Sequence, residues 1–198
     1  LMPVTINGDG TITGLSVGGL PDGIVDTDTL ANGAATQAKR TYSTGEIIQT
    51  VSTTLTSAST STLSTNGETT LISRTYTPQF STSNALIQCS VHLDIAGSYG
   101  GMFINLQRDN FYFARGDAAG NRRQCTIVPD FSNSTFGGPL KSMTILDTSI
   151  SGTSQVTYKV NLLDQSGGGG TYYLNTGRDN TDYNYILRPV STLSLIHI

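Results

Sequence analysis

The chain has 198 residues, of which 13% are charged, and its formal net charge is -3; this length is enough to bury a hydrophobic core as one large or two small domains. No apolar run approaches the roughly 20 residues of a membrane helix, and basic residues are nowhere concentrated, since Arg122 and Arg123 form only a pair. The composition therefore argues against membrane insertion and against nucleic-acid binding.

Residues 1–45 combine short β-type segments with turns and contain few apolar side chains. Gly8-Asp9-Gly10 and Leu20-Pro21-Asp22-Gly23 have turn composition, and residues 24–31 have the pattern of a short helix capped by Asp26 or Thr27. So few apolar groups do not offset the entropy lost when a chain is ordered. We therefore interpret residues 1–45 as an extended neck that needs partners, followed by a separate domain over residues 46–198.

Residues 50–65 are biased in composition, because twelve of these sixteen positions are Ser or Thr. The apolar residues Val51, Leu55 and Leu63 all fall on odd positions, which predicts one or two strands. A flexible low-complexity connector is the alternative interpretation.

An unbroken alternation over residues 85–95 is the strongest structural signal. A period of two places successive side chains on opposite faces of a strand, so one face is predicted to lie in the core and the other in water. The apolar face is Ala85, Ile87, Cys89, Val91, Leu93 and Ile95, and the polar face is Gln88, Ser90, His92 and Asp94. The same pattern recurs in residues 156–162.

From residue 69 onward, strand patterns and turn signals follow one another at short intervals. Many short strands with close turns predict an all-β antiparallel β-sandwich of jelly-roll type. The predicted strands cover residues 69–77, 84–96, 102–107, 111–115, 122–129, 141–147, 155–163, 171–175, 184–188 and 190–197. Cys89 and Cys125 fall on two of them, as small buried hydrophobes or, alternatively, as a disulfide.

Aromatic clusters give the best indication of a binding site. Alternation turns Tyr112 outward, together with either Tyr172 or Tyr173. An exposed tyrosine beside Arg, Asp and Asn side chains is a common way to hold a sugar, because the ring stacks on its apolar face while the polar groups bind hydroxyls. The candidate ligand-binding residues are Tyr112, Tyr172, Tyr173, Arg115, Asp117 and Asn121. The alternative is that these tyrosines fill the sandwich or a subunit interface.

Catalytic and metal-binding patterns are weak. Ser90, His92 and Asp94 share one side of a strand at roughly 6–7 Å per step, whereas a nucleophile and its base need contact at about 3 Å. Asp94, Asp109, Asp130 and Asp147 offer carboxylates without defining a pair. Residues 179–184 lack the Gly and the closing Glu of a calcium loop. We expect no enzyme activity, no metal and no cofactor.

Two stretches of the neck resemble the connector of tail-fibre and related virion proteins of tailed phages, marine phages among them. They are Ile6–Leu15 and Gly23–Ala34, and the head is similar at Gly116–Arg122, Thr157–Val160 and Ser191–Leu193. The resemblance implies a homotrimeric virion structural protein on the tail or capsid surface, associated with other virion proteins. Its β-sandwich head would bind a bacterial surface glycan or outer-membrane receptor through the loops 97–101, 116–121 and 165–170.

The end of the chain departs from this resemblance. Leu193–Ile198 matches the translation of a common sequencing adapter, so we expect a replaced terminus in a metagenomic sequence and assign no function to His197. The start, Leu1-Met2-Pro3, is expected to be a fragment or an altered start. Two alternatives to a receptor-binding fibre are a monomeric carbohydrate-binding module of a secreted bacterial protein and a non-binding capsid decoration or spacer.

Overall fold

The computed structural model divides the chain into two compact units, Leu1–Ser43 and Thr44–Ile198. The structure describes residues 5–9, 12–13, 41–97, 101–128, 137–165, 169–178, 182, 184 and 186–198. In the first unit, β1 (Thr5–Ile6) and β2 (Ile12–Thr13) form an antiparallel pair with Thr5 opposite Thr13. The helix predicted over residues 24–31 lies outside the described residues, and the division into neck and head remains a prediction.

The second unit consists of strands in two antiparallel sheets, and the described residues contain no helix. Among the described residues there is accordingly no helix that is long and apolar enough to cross a membrane. This arrangement confirms the predicted all-β sandwich. Its strands are β3 (Gln49–Leu55), β4 (Ser59–Leu63), β5 (Glu68–Tyr76), β6 (Ala85–Gly97), β7 (Met102–Arg108), β8 (Phe111–Phe113), β9 (Leu140–Asp147), β10 (Val156–Asp164), β11 (Gly170–Leu174) and β12 (Ser191–His197).

The smaller sheet has the strand order β5-β10-β7-β8, and the larger has β3-β12-β6-β11-β4 with β9 also paired to β6. The core between the sheets holds the apolar face of β6, as the alternation predicted, together with Tyr158, Val160 and Leu162 of β10. Removing these side chains from water is the main driving force for the fold. The Ser/Thr-rich stretch forms two strands, β3 and β4, so the strand interpretation of residues 50–65 is confirmed.

The long strand β6 carries two partners end to end along one edge. It pairs with β12 over Leu193↔Cys89 and with β11 over Leu174↔Leu93. Between the two ladders, His92 donates its backbone N–H to Ser191 Oγ at 3.1 Å and accepts from Asn175 N at 3.0 Å. One strand thus joins what would otherwise be two separate sheets.

Asn175 fills the gap between these ladders. It is fully buried and has a φ of 54°, a conformation that Asn tolerates better than most residues. Its Nδ2 donates to the carbonyls of Leu55 at 2.8 Å and Ser57 at 3.2 Å, and its Oδ1 accepts from Ser191 Oγ at 2.6 Å. Asn175 therefore satisfies one carbonyl at the end of β3 and one just beyond it.

A polar cluster around Asp147 connects the two sheets. Its Oδ2 accepts from Arg108 Nη1 and from Tyr158 Oη, each at 2.7 Å, and its Oδ1 accepts from the backbone N and the Oγ of Ser149. Burial alone would raise the pKa of Asp147, but these hydrogen bonds and the Arg108 charge outweigh it and hold that pKa below its usual value. Burial, followed by the hydrogen bond to this carboxylate, raises the pKa of Tyr158.

Asp94 is an exception to the predicted polar face of β6, since it is fully buried rather than in water. Arg178 donates from Nε to its Oδ2 at 2.8 Å, and Ile95 N donates to Oδ1 at 2.8 Å. Gly138 lies just before β9, which pairs with β6, and a Cβ on Gly138 would lie 2.6 Å from Asp94 N. Only glycine allows the chain entering β9 to approach β6 so closely.

Two predicted strands are absent from the described residues, over 122–129 and 184–188. In the first segment, a side chain takes the place of a backbone partner: Thr126 Oγ1 accepts the hydrogen bond from Leu106 N, at 3.0 Å, that a backbone carbonyl would accept in a regular strand pair. Cys125 therefore lies on irregular chain and not on a strand. Both cysteines are free and only Cys89 is buried, so the alternative of a disulfide is wrong. Burial raises the pKa of the Cys89 thiol to about 12, which makes it unreactive.

His197 belongs to the core side of β12, where it is buried. Its ring meets Tyr76 edge-on, with centroids 5.7 Å apart. Burial lowers the pKa of His197 below its usual value, which favours the neutral ring.

Candidate functional site

The six predicted ligand-binding residues do not form one site. Tyr112 lies on β8 in the smaller sheet, whereas Tyr172 and Tyr173 lie on β11 in the larger sheet. Tyr172 is only 7% exposed and packs in the core, so the prediction that the pair points in opposite directions is correct and only Tyr173 faces outward. Arg115, Asp117 and Asn121 are exposed on the segment after β8.

A groove of about 270 Å³ lies on the outer side of the smaller sheet and contains Tyr112 and Arg115. Buried residues from β7 and β10 line its floor: Phe103, Asn105 and Leu163. Its rim consists of more exposed residues: Arg115, Ala118, Gly120, Arg122, Arg123, Gln124 and Gln165. Asp117 and Asn121 stand on the same loop but do not line the groove.

Three guanidinium groups define the chemistry of this rim. Arg115 lies over the ring of Tyr112 at 5.2 Å from the centroid, and Arg123 donates from Nη1 to Gln165 Oε1. In the described part of the chain, none of Arg115, Arg122 and Arg123 forms an ion pair; the two ion pairs seen there are Arg108–Asp147 and Arg178–Asp94. The rim therefore presents three guanidinium groups that form no ion pair with a described carboxylate.

Tyr112 supports the rim, and only part of its ring is open to a ligand. Arg115 covers one ring face, a contact worth about 0.5–1 kcal/mol at an exposed site. Burial, followed by the hydrogen bond to Glu68, raises the pKa of Tyr112 to about 12. Because Asn161 Nδ2 donates to the same carboxylate and also to Gln107 Oε1 at 2.8 Å, the phenol belongs to a network that spans the sheet.

The loop that carries the rim is anchored by side chains at both ends. Gly116 N donates to the carbonyl of Cys125 at 3.1 Å, and Gln124 Nε2 donates to the carbonyl of Gly116 at 2.7 Å. Further along, Thr126 N donates to Asn105 Oδ1 at 3.2 Å. The first two contacts join the two ends of the loop, and the third attaches it to β7. The groove therefore has a floor of strand residues and a rim of loop residues.

Other sequence-predicted groups are used structurally. Asp94 and Asp147 are buried in the ion pairs described above, and Asp109 Oδ1 accepts from Thr157 N at 2.8 Å. His92 Nδ1 lies 3.2 Å from the carbonyl of Gly138. Asp130 and most of the segment 179–184 lie outside the described residues, among which no group of three or more His, Cys, Asp and Glu side chains is arranged to hold a metal.

Most of the groove is not evident from the sequence. Tyr112 and Arg115 are among the predicted residues, whereas β7, β10 and the residue after β10 contribute others that are not: Phe103, Asn105, Leu163 and Gln165. One signal was available, since Arg122-Arg123 is an adjacent basic pair in a weakly charged chain. Of the loops predicted as the contact surface, 116–121 is fully described and forms part of this rim, whereas residues 98–100 and 166–168 lie outside the described residues.

No protein-family model and no curated protein matches the chain. Two solved structures to which it is similar carry the titles "Structure of infectious bursal disease virus Gx strain" and "Crystal structure of infectious bursal disease virus VP2 subviral particle". Identity is 14% over 76% of this chain in both cases, with TM-scores of 0.31 and 0.34. The chain spans 42% and 40% of those two chains, and a likeness this distant carries no function across.

Proposed function

We propose that the chain is a virion structural protein of a tailed phage whose head recognises a bacterial surface glycan or outer-membrane receptor. The virion role rests on the resemblance of the neck and head to tail-fibre proteins. The observation that supports recognition is the groove beside β8, in which amides and guanidinium groups that form no ion pair stand over a floor that includes Phe103 and Leu163. Recognition sites are commonly loops held in place by a rigid scaffold.

The groove is suited to binding rather than turnover. Arginine and glutamine side chains at its rim are hydrogen-bond donors for sugar oxygens, and Phe103 and Leu163 below them are apolar. None of the described carboxylates lines the groove, whereas general acid–base chemistry on a glycoside requires two. The role that we propose for the head is binding, and we propose no catalytic residue.

A groove-filling substitution tests recognition. Ala118 lines the groove and Ala119, its neighbour on the same exposed loop, does not. Fluorescently labelled protein should bind a subset of bacterial capsular polysaccharides, lipopolysaccharides and outer-membrane vesicles on an array. We expect Ala118→Trp to weaken this binding at least tenfold because the indole occupies the groove, and Ala119→Trp to leave it unchanged. Absence of binding to every preparation, or equal binding by both variants, contradicts the proposal.

The proposed fibre also requires a trimer. Three weak sites on one particle gain avidity through their effective concentration, and three copies of a neck with few apolar residues supply the contacts that one copy lacks. Light scattering on the purified chain should give about three times the chain mass of 20.9 kDa. A monomeric mass, with the first 45 residues cut readily by protease, would favour the alternative of a single carbohydrate-binding module.

A further inference from the structure

Charge is distributed unevenly between the groove and the rest of the chain. The chain has 11 Lys and Arg and 14 Asp and Glu residues. Arg115, Arg122 and Arg123 all line the groove, while none of the acidic residues that the structure describes does. A concave surface lined by one sign of charge raises the local concentration of ligands of the opposite sign, so this groove attracts anions although the whole chain is acidic.

Two of the three guanidinium groups, those of Arg115 and Arg123, are held in place before any ligand arrives. Arg115 rests on Tyr112 at 5.2 Å, and Tyr112 is tied through Glu68 to the hydrogen-bond network of the sheet. Arg123 is held by Gln165. A guanidinium presents its donors in a fixed planar fork that matches a carboxylate, and side chains already ordered lose less entropy on binding.

We infer that the ligand of this groove is an acidic saccharide, bound through its carboxylate groups by Arg115, Arg122 and Arg123. The inference rests on the proposed function and names the chemical class that the site takes. A neutral sugar offers only hydroxyl oxygens to the three cations, whereas a uronate adds an anionic acceptor, and hydrogen bonds between a guanidinium and a carboxylate are the stronger kind.

A single-stranded nucleic acid is the competing polyanion, and the aromatic residues of the groove disfavour it. Such ligands are held by bases that stack on open aromatic rings. Of the aromatic rings in the groove, Tyr112 has one face covered by Arg115, and Phe103 is only 6% exposed. The groove thus has cations without an open platform for bases.

The test compares acidic oligosaccharides with their neutral methyl esters. Tetragalacturonate, an alginate tetramer and a sialic acid tetramer, each with its methyl ester, are titrated into the full chain by calorimetry at low and at physiological salt. We expect at least one acid to bind about tenfold or more tightly than its ester, as loss of charge-assisted hydrogen bonds implies, and to weaken as salt is added.

Matched variants then locate the site. Arg122→Gln with Arg123→Gln should lower the affinity for the acid about tenfold or more, and Arg188→Gln, which changes an exposed arginine outside the groove, should leave it unchanged. Thermal melts of each variant confirm that it is folded. An equal loss in the Arg188→Gln variant would indicate non-specific charge attraction and overturn the inference.

The remaining outcomes separate this inference from the proposed function. If no acid binds better than its ester but Ala118→Trp still abolishes binding to a bacterial polysaccharide, recognition stands and the acidic class is wrong. If neither titration nor array shows binding through the groove, both fail. Displacement of the saccharides by oligo(dT) at lower concentration would assign the groove to nucleic acid instead.

Discussion

Replacing Asp147 by alanine is expected to lower the free energy of unfolding by about 3 kcal/mol, because removing one member of a buried ion pair leaves its partners unsatisfied. The orphaned groups are the Arg108 guanidinium and the Tyr158 hydroxyl, each 2.7 Å from the carboxylate. The Arg108 side chain is 22% exposed while that of Asp147 is 1% exposed, so water reaches Arg108 and the loss lies at the low end of the usual range. Urea denaturation at neutral pH measures it, with the exposed Asp117→Ala as control.

The same carboxylate gives a pH dependence with a defined sign. Its pKa in the folded chain lies below the unfolded value, so its contribution is complete above about pH 4 and is lost as the pH falls through the folded pKa. Asp147→Asn keeps the shape and cannot titrate. The difference in urea midpoint between wild type and Asp147→Asn should therefore narrow as the pH falls below about 4; a constant difference down to pH about 2.5 would contradict the assigned network.

Replacing Asn175 by alanine is expected to lower the free energy of unfolding by about 4 kcal/mol, of which about 3 come from lost hydrogen bonds and about 1 from backbone strain. Each hydrogen bond contributes about 1 kcal/mol, and Asn175 makes three through its side chain, to Leu55, Ser57 and Ser191. A non-glycine residue without a polar side chain adds about 1 kcal/mol of strain at positive φ. Because the two carbonyls belong to the last residue of β3 and to Ser57 just after it, the loss is expected to show as early opening of that strand.

A second substitution at the same position separates the two causes. Asn175→Gly removes the same hydrogen bonds but accepts the φ of 54° without strain, so it should be more stable than Asn175→Ala by about 1 kcal/mol. Hydrogen exchange on β3 and β12 should be accelerated in both variants. Equal stability of the two variants, or unchanged exchange, would mean that the junction does not hold these strands together.

The strands could be predicted where one face of the sheet meets the core and the other meets water. In β6 and β10 the alternation of apolar residues is sufficient, because burial depends on the side chain's position along its own strand. Asp94 does not follow this rule, since its partner Arg178 comes from a distant segment. A local pattern contains no information about a carboxylate that is buried by such a long-range ion pair.

The strand predicted over residues 122–129 is wrong for a different reason from the burial of Asp94. Its alternation is genuine, and Ile127 does exchange hydrogen bonds with Ile104 at 2.9 and 3.0 Å. Beyond that bridge, the side chains of Thr126 and Asn105 take the places of ladder partners. The groove could not be predicted for the same reason, since its floor comes from strands and its rim from a loop whose position these side chains determine.

The order of strands in the two sheets has a consequence for how the chain folds. In the larger sheet β12 inserts between β3 and β6, and in the smaller sheet β10 inserts between β5 and β7; each insertion joins segments far apart in the sequence. Topologies dominated by such distant pairings fold in about milliseconds to seconds. Until β12 arrives, the facing edges of β3 and β6 are open templates for the strands of other chains, so the yield of refolding should fall as the protein concentration rises.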